Sequence, residues 1–509
     1  MSSCMKIHLR LFFSPARNKA LLFLAGLTIA IMAGCGGGSI SPSPGPNLTG
    51  NTSVTLLATS TANNKLSKFG MDINSITLTN AAGGAVSMTA TPQDRIQFIS
   101  VNGTAEPLLT VSVPQGIYVS ATASIGSSGF VCVYLNPSTG GLEDAYFSYG
   151  YTLPSQVTVN LPAPITITGT AMGLAIDLQV AQSATWTLGS CSQAPNPNAQ
   201  NSYTITPTFN LTPVTIAAQP TNSTNGKADG LLGLIASLDA SGTSFNVVTE
   251  GGPFIPQGTY GPNWSISASS NTVYQGVAGF SQLAVGMPVD MDVALQADGS
   301  LLATRVAVYD TDTTNLTMIF GPLQFKDEYV PELANFGVNS QGYKSLAGGY
   351  DYSFSNATFL TSGQFTNLQS LPFTASFTAA NMVAGQNVFI STHTLTVPGG
   401  YPYIPATTMT LLPQTLDGTV SAIGSDGGFT TYTITLAPYD LFPALAVQSG
   451  QTTLLTNPSQ VVVYADSNTQ MLNTNPIAVS DVVRFYGLVF NDNGTLRMDC
   501  AEIFDGVPE

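Results

Sequence analysis

The chain has 509 residues, of which 44% are hydrophobic, and this content can bury several cores and excludes an intrinsically disordered protein. Charged residues make up only 8% of it, far below the roughly 25% of typical soluble domains, so neutral polar residues must cover most of the surface. The net charge of −15 argues against nucleic-acid binding, which requires a basic surface.

The first 34 residues have the composition of an export signal. Four basic residues and no acidic one precede residue 20, and residues 20–33 are almost entirely apolar. This run is shorter than the roughly 20 helical residues that cross a bilayer, so we expect a cleaved signal peptide at 1–34. Its removal leaves nine basic against 28 acidic residues, a difference of −19.

The end of this signal, Ile31-Met32-Ala33-Gly34-Cys35, resembles the lipobox of bacterial lipoproteins. The resemblance implies that Cys35 becomes the first residue of the mature chain and carries the acyl groups that hold it to a lipid bilayer. Each buried methylene contributes about 0.8 kcal/mol, so several acyl chains give a stable anchor. The alternative is an ordinary secretory signal with a chance cysteine.

Residues 35–52 are predicted to form a tether. They are first Gly-rich and then Pro-rich, which is typical of a flexible segment followed by a stiffer one. Gly36 follows Cys35 where the lipoprotein sorting rule places an aspartate for inner-membrane retention. The resemblance therefore implies the outer membrane of the cell envelope, with the body facing the periplasm or the cell surface.

The mature chain is predicted to be all-β, because short runs of Val, Ile, Thr, Tyr and Phe alternate with turn residues and helical spacing is almost absent. Residues 53–220 are spaced as in a β-sandwich. Pro114-Gln115-Gly116-Ile117-Tyr118 is predicted to be a turn between two of its strands. This segment resembles an uncharacterised N-terminal β-sandwich domain common in bacterial surface lipoproteins.

The second half contains a divergent internal repeat. Residues 283–291, 382–390 and 477–485 have matching patterns at spacings of 99 and 95 residues, and a turn and a strand follow each of them. We predict three small β-barrel-like modules at 231–310, 316–412 and 416–509, although the opening strand of the middle one is not recognisable. They resemble a short OB-like domain of unknown function found in tandem in exported bacterial proteins. One continuous β-domain is the alternative.

Three cysteines remain besides Cys35, so they cannot all pair within the chain. Cys132 and Cys191 lie in one predicted domain and are a candidate disulfide in an oxidising compartment. Cys500 alternates with charged residues on the apolar side of a strand, and we expect it to be a buried, inert thiol.

The sequence contains no recognisable catalytic motif. His393 is the one histidine outside the signal and has no nucleophile motif near it, so a hydrogen-bonded strand histidine is expected. A glycosidase needs two placed carboxylates, but Asp290 and Asp292 alternate with apolar residues, as on a solvated strand edge. Asp310 and Asp312 are candidate calcium ligands, with a plain linker between modules as the alternative. No cofactor is expected.

Tyrosines in Gly- and Pro-rich segments are the candidate ligand-binding residues. Tyr350, Tyr352, Tyr401 and Tyr403 are expected on loops, where flat rings provide contact area at low entropic cost. Alternatively, they cap the ends of their own modules.

These observations predict a membrane-anchored, non-enzymatic protein that binds or scaffolds, with the lipid bilayer as one partner and a glycan or an envelope protein as another. Two alternatives remain open at this stage: a polysaccharide hydrolase that uses dispersed carboxylates, and a purely structural component of the envelope.

Overall fold

A computed structural model of the chain shows an all-β protein, which confirms the predicted fold class. Leu48–Glu509 is one compact unit, within which several separate sheets form. The structure describes residues 48–61, 69–98, 101, 105–131, 133–135, 142–144, 154–186, 203–249, 263–314, 316–326, 330–334, 337–339, 342–344, 349–354, 356–393, 403–436, 442–443, 455–472 and 476–504.

Helix is scarce in the described part of the chain. The α-helix Val180–Ser183 has four residues, and 3-10 turns lie at Ser223–Asn225, Phe280–Gln282 and Leu368–Ser370. Among the described residues, no helix is long and apolar enough to cross a membrane.

The N-terminal region is built around one nine-stranded sheet, in the order β3-β2-β5-β8-β13-β10-β1-β4, with β9 beside β5. Its end strands β3 and β4 contact each other, so the sheet curls over a core that includes Leu56, Ile76 and Phe209. The strands of this region are β1 (Asn51–Ser60), β2 (Phe69–Asn80), β3 (Ala85–Gln97), β4 (Glu106–Pro114), β5 (Gly116–Val131), β6 (Val133–Leu135), β7 (Leu142–Asp144), β8 (Gln156–Asn160), β9 (Ile165–Ile167), β10 (Ala171–Leu178), β11 (Ala184–Trp186), β12 (Tyr203–Ile205) and β13 (Phe209–Val214).

The turn predicted after Pro114 separates β4 from β5. Tyr118 is buried, and its hydroxyl donates a hydrogen bond of 2.8 Å to the Pro114 carbonyl, so the tyrosine ring closes its own turn.

The next sheet closes on itself and is called the first closed sheet. Strands β14, β15, β16, β19 and β18 are neighbours in that order, and β18 pairs with β14 again, so these five strands form a circle. The circle includes the parallel pairing of β16 with β19, and β17 is added beside β19. Its strands are β14 (Lys227–Leu238), β15 (Ser244–Thr249), β16 (Asn263–Ser267), β17 (Val273–Gln275), β18 (Pro288–Leu295) and β19 (Leu301–Ala307).

The nine strands of residues 317–411 form the middle sheet. It begins with β20, the opening strand that the sequence pattern leaves unplaced. The strands are β20 (Thr317–Lys326), β21 (Val330–Ala334), β22 (Gly337–Asn339), β23 (Gly342–Lys344), β24 (Gly349–Ser353), β25 (Thr358–Thr361), β26 (Asn387–Thr392), β27 (Tyr403–Pro405) and β28 (Thr408–Leu411). The short strand β27 pairs with β24, and the short strand β28 pairs with β26. Together β27 and β28 take the place that β19 has in the first closed sheet.

The C-terminal sheet repeats the strand order of the first and is called the third closed sheet. The parallel pairing of β31 with β34 closes it, and Asn493 and Gly494 form its last hairpin turn with positive φ angles of 51° and 91°, as the Asn-Gly signal predicts. Its strands are β29 (Gln414–Asp426), β30 (Phe429–Thr435), β31 (Gln460–Ala465), β32 (Gln470–Met471), β33 (Val482–Asp492) and β34 (Thr495–Phe504).

A turn with the same geometry precedes β18, β26 and β33, one strand in each of these three sheets. Its central residue has a φ of 88° at Gly286, 98° at Gly385 and 79° at Ser480. In each turn, the N–H of this central residue donates to the carbonyl of one residue in the first strand of the sheet. The N–H of that same first-strand residue donates to the carbonyl of the residue that follows the central residue. The first-strand residues are Ile235, Leu323 and Val420, and these six bonds span 2.8–3.0 Å.

Candidate functional site

Asp290 and Asp292 lie inside the molecule, so the expectation of a solvated strand edge is wrong. Their exposed fractions are 1% and 5%. The reason is Arg305, which lies opposite Asp292 on β19. Its Nη2 donates to Asp290 Oδ1 at 2.8 Å and to Asp292 Oδ1 at 2.9 Å, and its Nε donates to Asp292 Oδ2 at 2.8 Å. Two carboxylates and one guanidinium therefore form a buried, charge-assisted network.

The segment after β19 and the middle sheet both contribute to this network. The Tyr309 hydroxyl donates to Asp290 Oδ2 at 2.5 Å, and the Ser362 hydroxyl, just after β25, lies 3.4 Å from the same oxygen. Burial and the neighbouring Asp290 carboxylate raise the pKa of Tyr309 well above its usual value, so this phenol remains a donor.

A bulge in β14 brings a third acidic residue to the network. Gly230 has a φ of 67°, and its N–H donates to Asp292 Oδ1 at 3.1 Å, so Asp229 also turns toward the charged group. The Lys227 ammonium lies 2.7 Å from Asp229 Oδ1.

The third closed sheet approaches from the other side through Glu502 of β34, which is 3% exposed and hydrogen-bonds to Asp229. Burial, followed by the carboxylate of Asp292, raises the pKa of Asp229 to about 7. Burial, followed by Asp229, raises the pKa of Glu502 to about 8. Two carboxyls that hydrogen-bond to each other need a shared proton, and these pKa values keep it there near neutral pH.

Asp292 is as deeply buried as Asp229, but its pKa is shifted in the opposite direction. Burial alone would raise its pKa, but the charge and the hydrogen bonds of Arg305 outweigh burial and lower it. The junction therefore contains an ionised pair beside a proton-sharing pair, because one acid faces a guanidinium and the other faces an acid.

Tyr486 of β33 completes the contact between sheets. It is 6% exposed, and its hydroxyl donates to Gln364 Oε1 of the middle sheet at 3.4 Å. A Cβ added at Gly230 would lie 3.5 Å from the same hydroxyl. We call the group of Lys227, Asp229, Asp290, Asp292, Arg305, Tyr309, Ser362, Tyr486 and Glu502 the charged junction.

Arg484 of β33 continues the polar contacts to the N-terminal sheet. Its Nη1 donates to the Ser60 carbonyl at 3.0 Å, and its guanidinium lies 4.3 Å from the centre of the Phe504 ring. Burial raises the pKa of Asp417, opposite Arg484, to about 7, and burial raises that of Asp177 to about 6, although Arg484 opposes both shifts. All four large sheets are thus joined through buried polar groups.

The candidate calcium ligands Asp310 and Asp312 are bound to donors of the protein itself. Asp310 Oδ1 accepts the Asp312 N–H at 3.0 Å, and Asp312 Oδ1 accepts the Thr314 N–H at 2.8 Å. Asp310 Oδ2 accepts the Ser391 hydroxyl at 2.5 Å. No group of three or more His, Cys, Asp or Glu side chains arranged to hold a metal occurs in the described part of the chain.

The candidate tyrosines lie in strands where loops were expected. Tyr350 and Tyr352 belong to β24 and Tyr403 to β27, and these two strands pair in parallel with Tyr352 opposite Ile404. The fold thus brings two distant tyrosine segments to neighbouring strands, which we call the tyrosine strand pair. Tyr401 lies outside the described residues.

Cys500 is a buried free thiol, as expected, and its sulfur lies 3.3 Å from the Glu502 carbonyl. Burial raises its pKa well above the usual value, so the reactive thiolate is disfavoured. The predicted acylation site Cys35 and the candidate disulfide of Cys132 with Cys191 lie outside the described residues.

Residues 233–307 match a family model described as "Domain of unknown function (DUF5666)". The chain therefore carries a DUF5666 domain, and the matched segment runs from β14 to the end of β19, within the first closed sheet. No curated protein matches the chain.

Proposed function

We propose that the protein is an exported lipoprotein of a bacterial cell envelope, held by acyl groups on Cys35, whose β-structured body binds or scaffolds other envelope components without catalysis. The lipobox-like sequence and the Gly- and Pro-rich tether support the anchor. A tether of this composition would separate the folded body from the bilayer surface.

The proposed body is an array of three OB-like modules behind an N-terminal β-sandwich. The strand order of the first and third closed sheets, with the parallel pairs β16–β19 and β31–β34, supports this assignment, as does the recurring turn at Gly286, Gly385 and Ser480. The DUF5666 match falls on the first of these modules.

The charged junction is the observation that carries the proposal of a non-catalytic role. The paired acids that a hydrolase would use, Asp290 and Asp292, are both bound by Arg305 in the interior. A carboxylate saturated by internal donors stabilises the contact between modules and has little basicity left for a substrate. The junction therefore acts to hold the modules in one fixed arrangement.

Tyr350 and Tyr352 of the tyrosine strand pair are the proposed contact residues for a glycan or an envelope protein. They are alternate residues of β24 and so lie on one face of the middle sheet, whereas Tyr403 is paired with Asp351 and lies on the opposite face. Tyrosine is among the side chains enriched at protein interfaces, because its ring provides a large contact area at low entropic cost.

Acylation can be tested by growing cells with an alkyne-labelled fatty acid and comparing wild type with Cys35→Ala. Label should be lost in this variant and kept in the control Cys4→Ala, which removes a cysteine of the signal. Label that persists in Cys35→Ala would overturn the anchor.

Binding can be tested by applying the purified protein to glycan and envelope-protein arrays. A Tyr350→Ala, Tyr352→Ala double variant changes alternate residues of β24 and should lose the signals that wild type gives, whereas Tyr343→Ala, on β23 of the same sheet, should keep them. No signal from wild type on either array would refute binding, and equal loss in both variants would refute the tyrosine strand pair.

A further inference from the structure

His393 follows β26 and joins two parts of the chain. Its Nδ1 lies 2.9 Å from the Thr314 carbonyl oxygen, and its Nε2 lies 2.9 Å from Asp310 Oδ2. Asp310 and Thr314 belong to the segment between β19 and β20, which leaves the first closed sheet and enters the middle sheet. The ring therefore ties the segment between two sheets to a central strand of the second one.

Both ring nitrogens face oxygen atoms that accept hydrogen bonds. A carbonyl oxygen cannot donate, so Nδ1 must carry a proton. Asp310 Oδ2 already accepts the Ser391 hydroxyl, and Oδ1 accepts the Asp312 N–H, so both oxygens of this side chain act as acceptors. A neutral imidazole has only one N–H and could make only one of the two bonds. The observed arrangement fits an imidazolium that donates from both nitrogens.

We propose that His393 is a pH-sensitive clamp: in its protonated form it fastens the segment between β19 and β20 to β26, and in its neutral form it releases one of these two contacts. The clamp adjoins the charged junction, because Tyr309, the residue before Asp310, donates to Asp290. Release of the clamp would loosen the connection between the first closed sheet and the middle sheet.

The charged groups that face His393 set the direction of the switch. In the described residues they are Asp310 and Asp312, and the Asp312 carboxylate lies 3.9 Å from Nδ1. Partial burial would lower the pKa of His393, but the Thr314 carbonyl and then the two carboxylates outweigh it and raise that pKa. A raised pKa in the folded state means that the clamp is complete below about pH 6.5 and is lost as pH rises through the folded value.

The protonation state can be measured by NMR titration of the full-length protein with ¹³C-labelled histidine. The chain has two histidines, His8 and His393, and the His393→Gln variant identifies the second signal. We expect a pKa above about 6.5 in wild type. Asp310→Asn should lower this pKa more than Asp312→Asn, because Asp310 is 2.9 Å from the ring and Asp312 is 3.9 Å from it. A wild-type pKa at or below 6.5, or no response to Asp310→Asn, would overturn the proposal.

The mechanical consequence can be measured by hydrogen exchange in β26 and β20, corrected for the intrinsic pH dependence of exchange. Wild-type protection should fall about tenfold or more as pH passes the pKa of His393. Asp310→Asn should have low protection at every pH. The control is Asp298→Asn, since Asp298 also accepts the N–H two residues later but has no histidine contact in the structure. Wild-type protection that does not change with pH, or an equal loss in the control, would show that His393 is no clamp.

Discussion

Replacing Arg305 with methionine should open the charged junction. The variant keeps most of the aliphatic bulk but leaves Asp290 and Asp292, 1% and 5% exposed, without their cationic partner. Removing one member of a buried ion pair costs about 3–5 kcal/mol, since an uncompensated charge remains buried. Five hydrogen bonds of the guanidinium are lost together, so we expect a value in the upper half of that range.

The assay is native-state hydrogen exchange of the β18 and β19 amides, which reports the local free energy of opening in a chain too large for two-state unfolding. The control is Arg497→Met, because Arg497 of β34 pairs with Asp492 within the third closed sheet, and the two side chains are 25% and 13% exposed. This variant removes a cation from a sheet that contains neither β18 nor β19, so exchange of the β18 and β19 amides should change little.

The pH dependence of the Arg305→Met effect provides a second check. In wild type Arg305 lowers the pKa of Asp292, so this carboxylate stabilises the fold above its unfolded pKa of about 3.9. Without Arg305 burial dominates and raises that pKa, so the buried acid takes up a proton as pH falls. The opening free energy that Arg305→Met removes should therefore be smaller at pH 5 than at pH 8. A loss below about 1 kcal/mol, or one that grows toward pH 5, would refute the assignment of the junction as a buried ionic network.

Two further predictions concern the proton-sharing pair and the recurring turn. The folded pKa of Glu502 is raised to about 8, so its stabilising protonated form is lost as pH rises through that value. Glu502→Gln keeps an uncharged donor toward Asp229, so it should raise the free energy of opening of the β34 amides, measured by hydrogen exchange, at pH 9 relative to wild type and have a smaller effect at pH 5. A stabilisation that is equal at both pH values would contradict the shared proton. In the turn, Gly385→Ala should destabilise more than Gly286→Ala, since a Cβ at Gly385 would lie 2.8 Å from the Phe442 ring while the nearest atoms at Gly286 are 3.5 Å away. Both variants also carry the left-handed backbone cost of about 1 kcal/mol. Hydrogen exchange of the strand that follows each turn would show equal losses in the two variants if the contact with the Phe442 ring were unimportant.

The sequence by itself determined the local features of this protein. Alternation of apolar residues predicts the all-β class, and Asn493-Gly494 predicts the last hairpin, because turn residues and period-two burial act over a few neighbouring positions. The burial of Cys500 follows in the same way from its own strand. These properties depend on neighbours within the same strand or turn, so they can be read without knowing the fold.

The tertiary structure alone decided what surrounds the acids. The alternating pattern predicts that Asp290 and Asp292 lie on the face of β18 away from the core of their own sheet, which would be exposed in an isolated barrel. In the assembled protein a second sheet covers that face, and Arg305 compensates the charge of both acids. Glu502 meets Asp229 across more than 270 residues, and no local pattern relates the two. The cost of burying a charge depends on which strands pack against it, and that packing is a property of the assembled sheets.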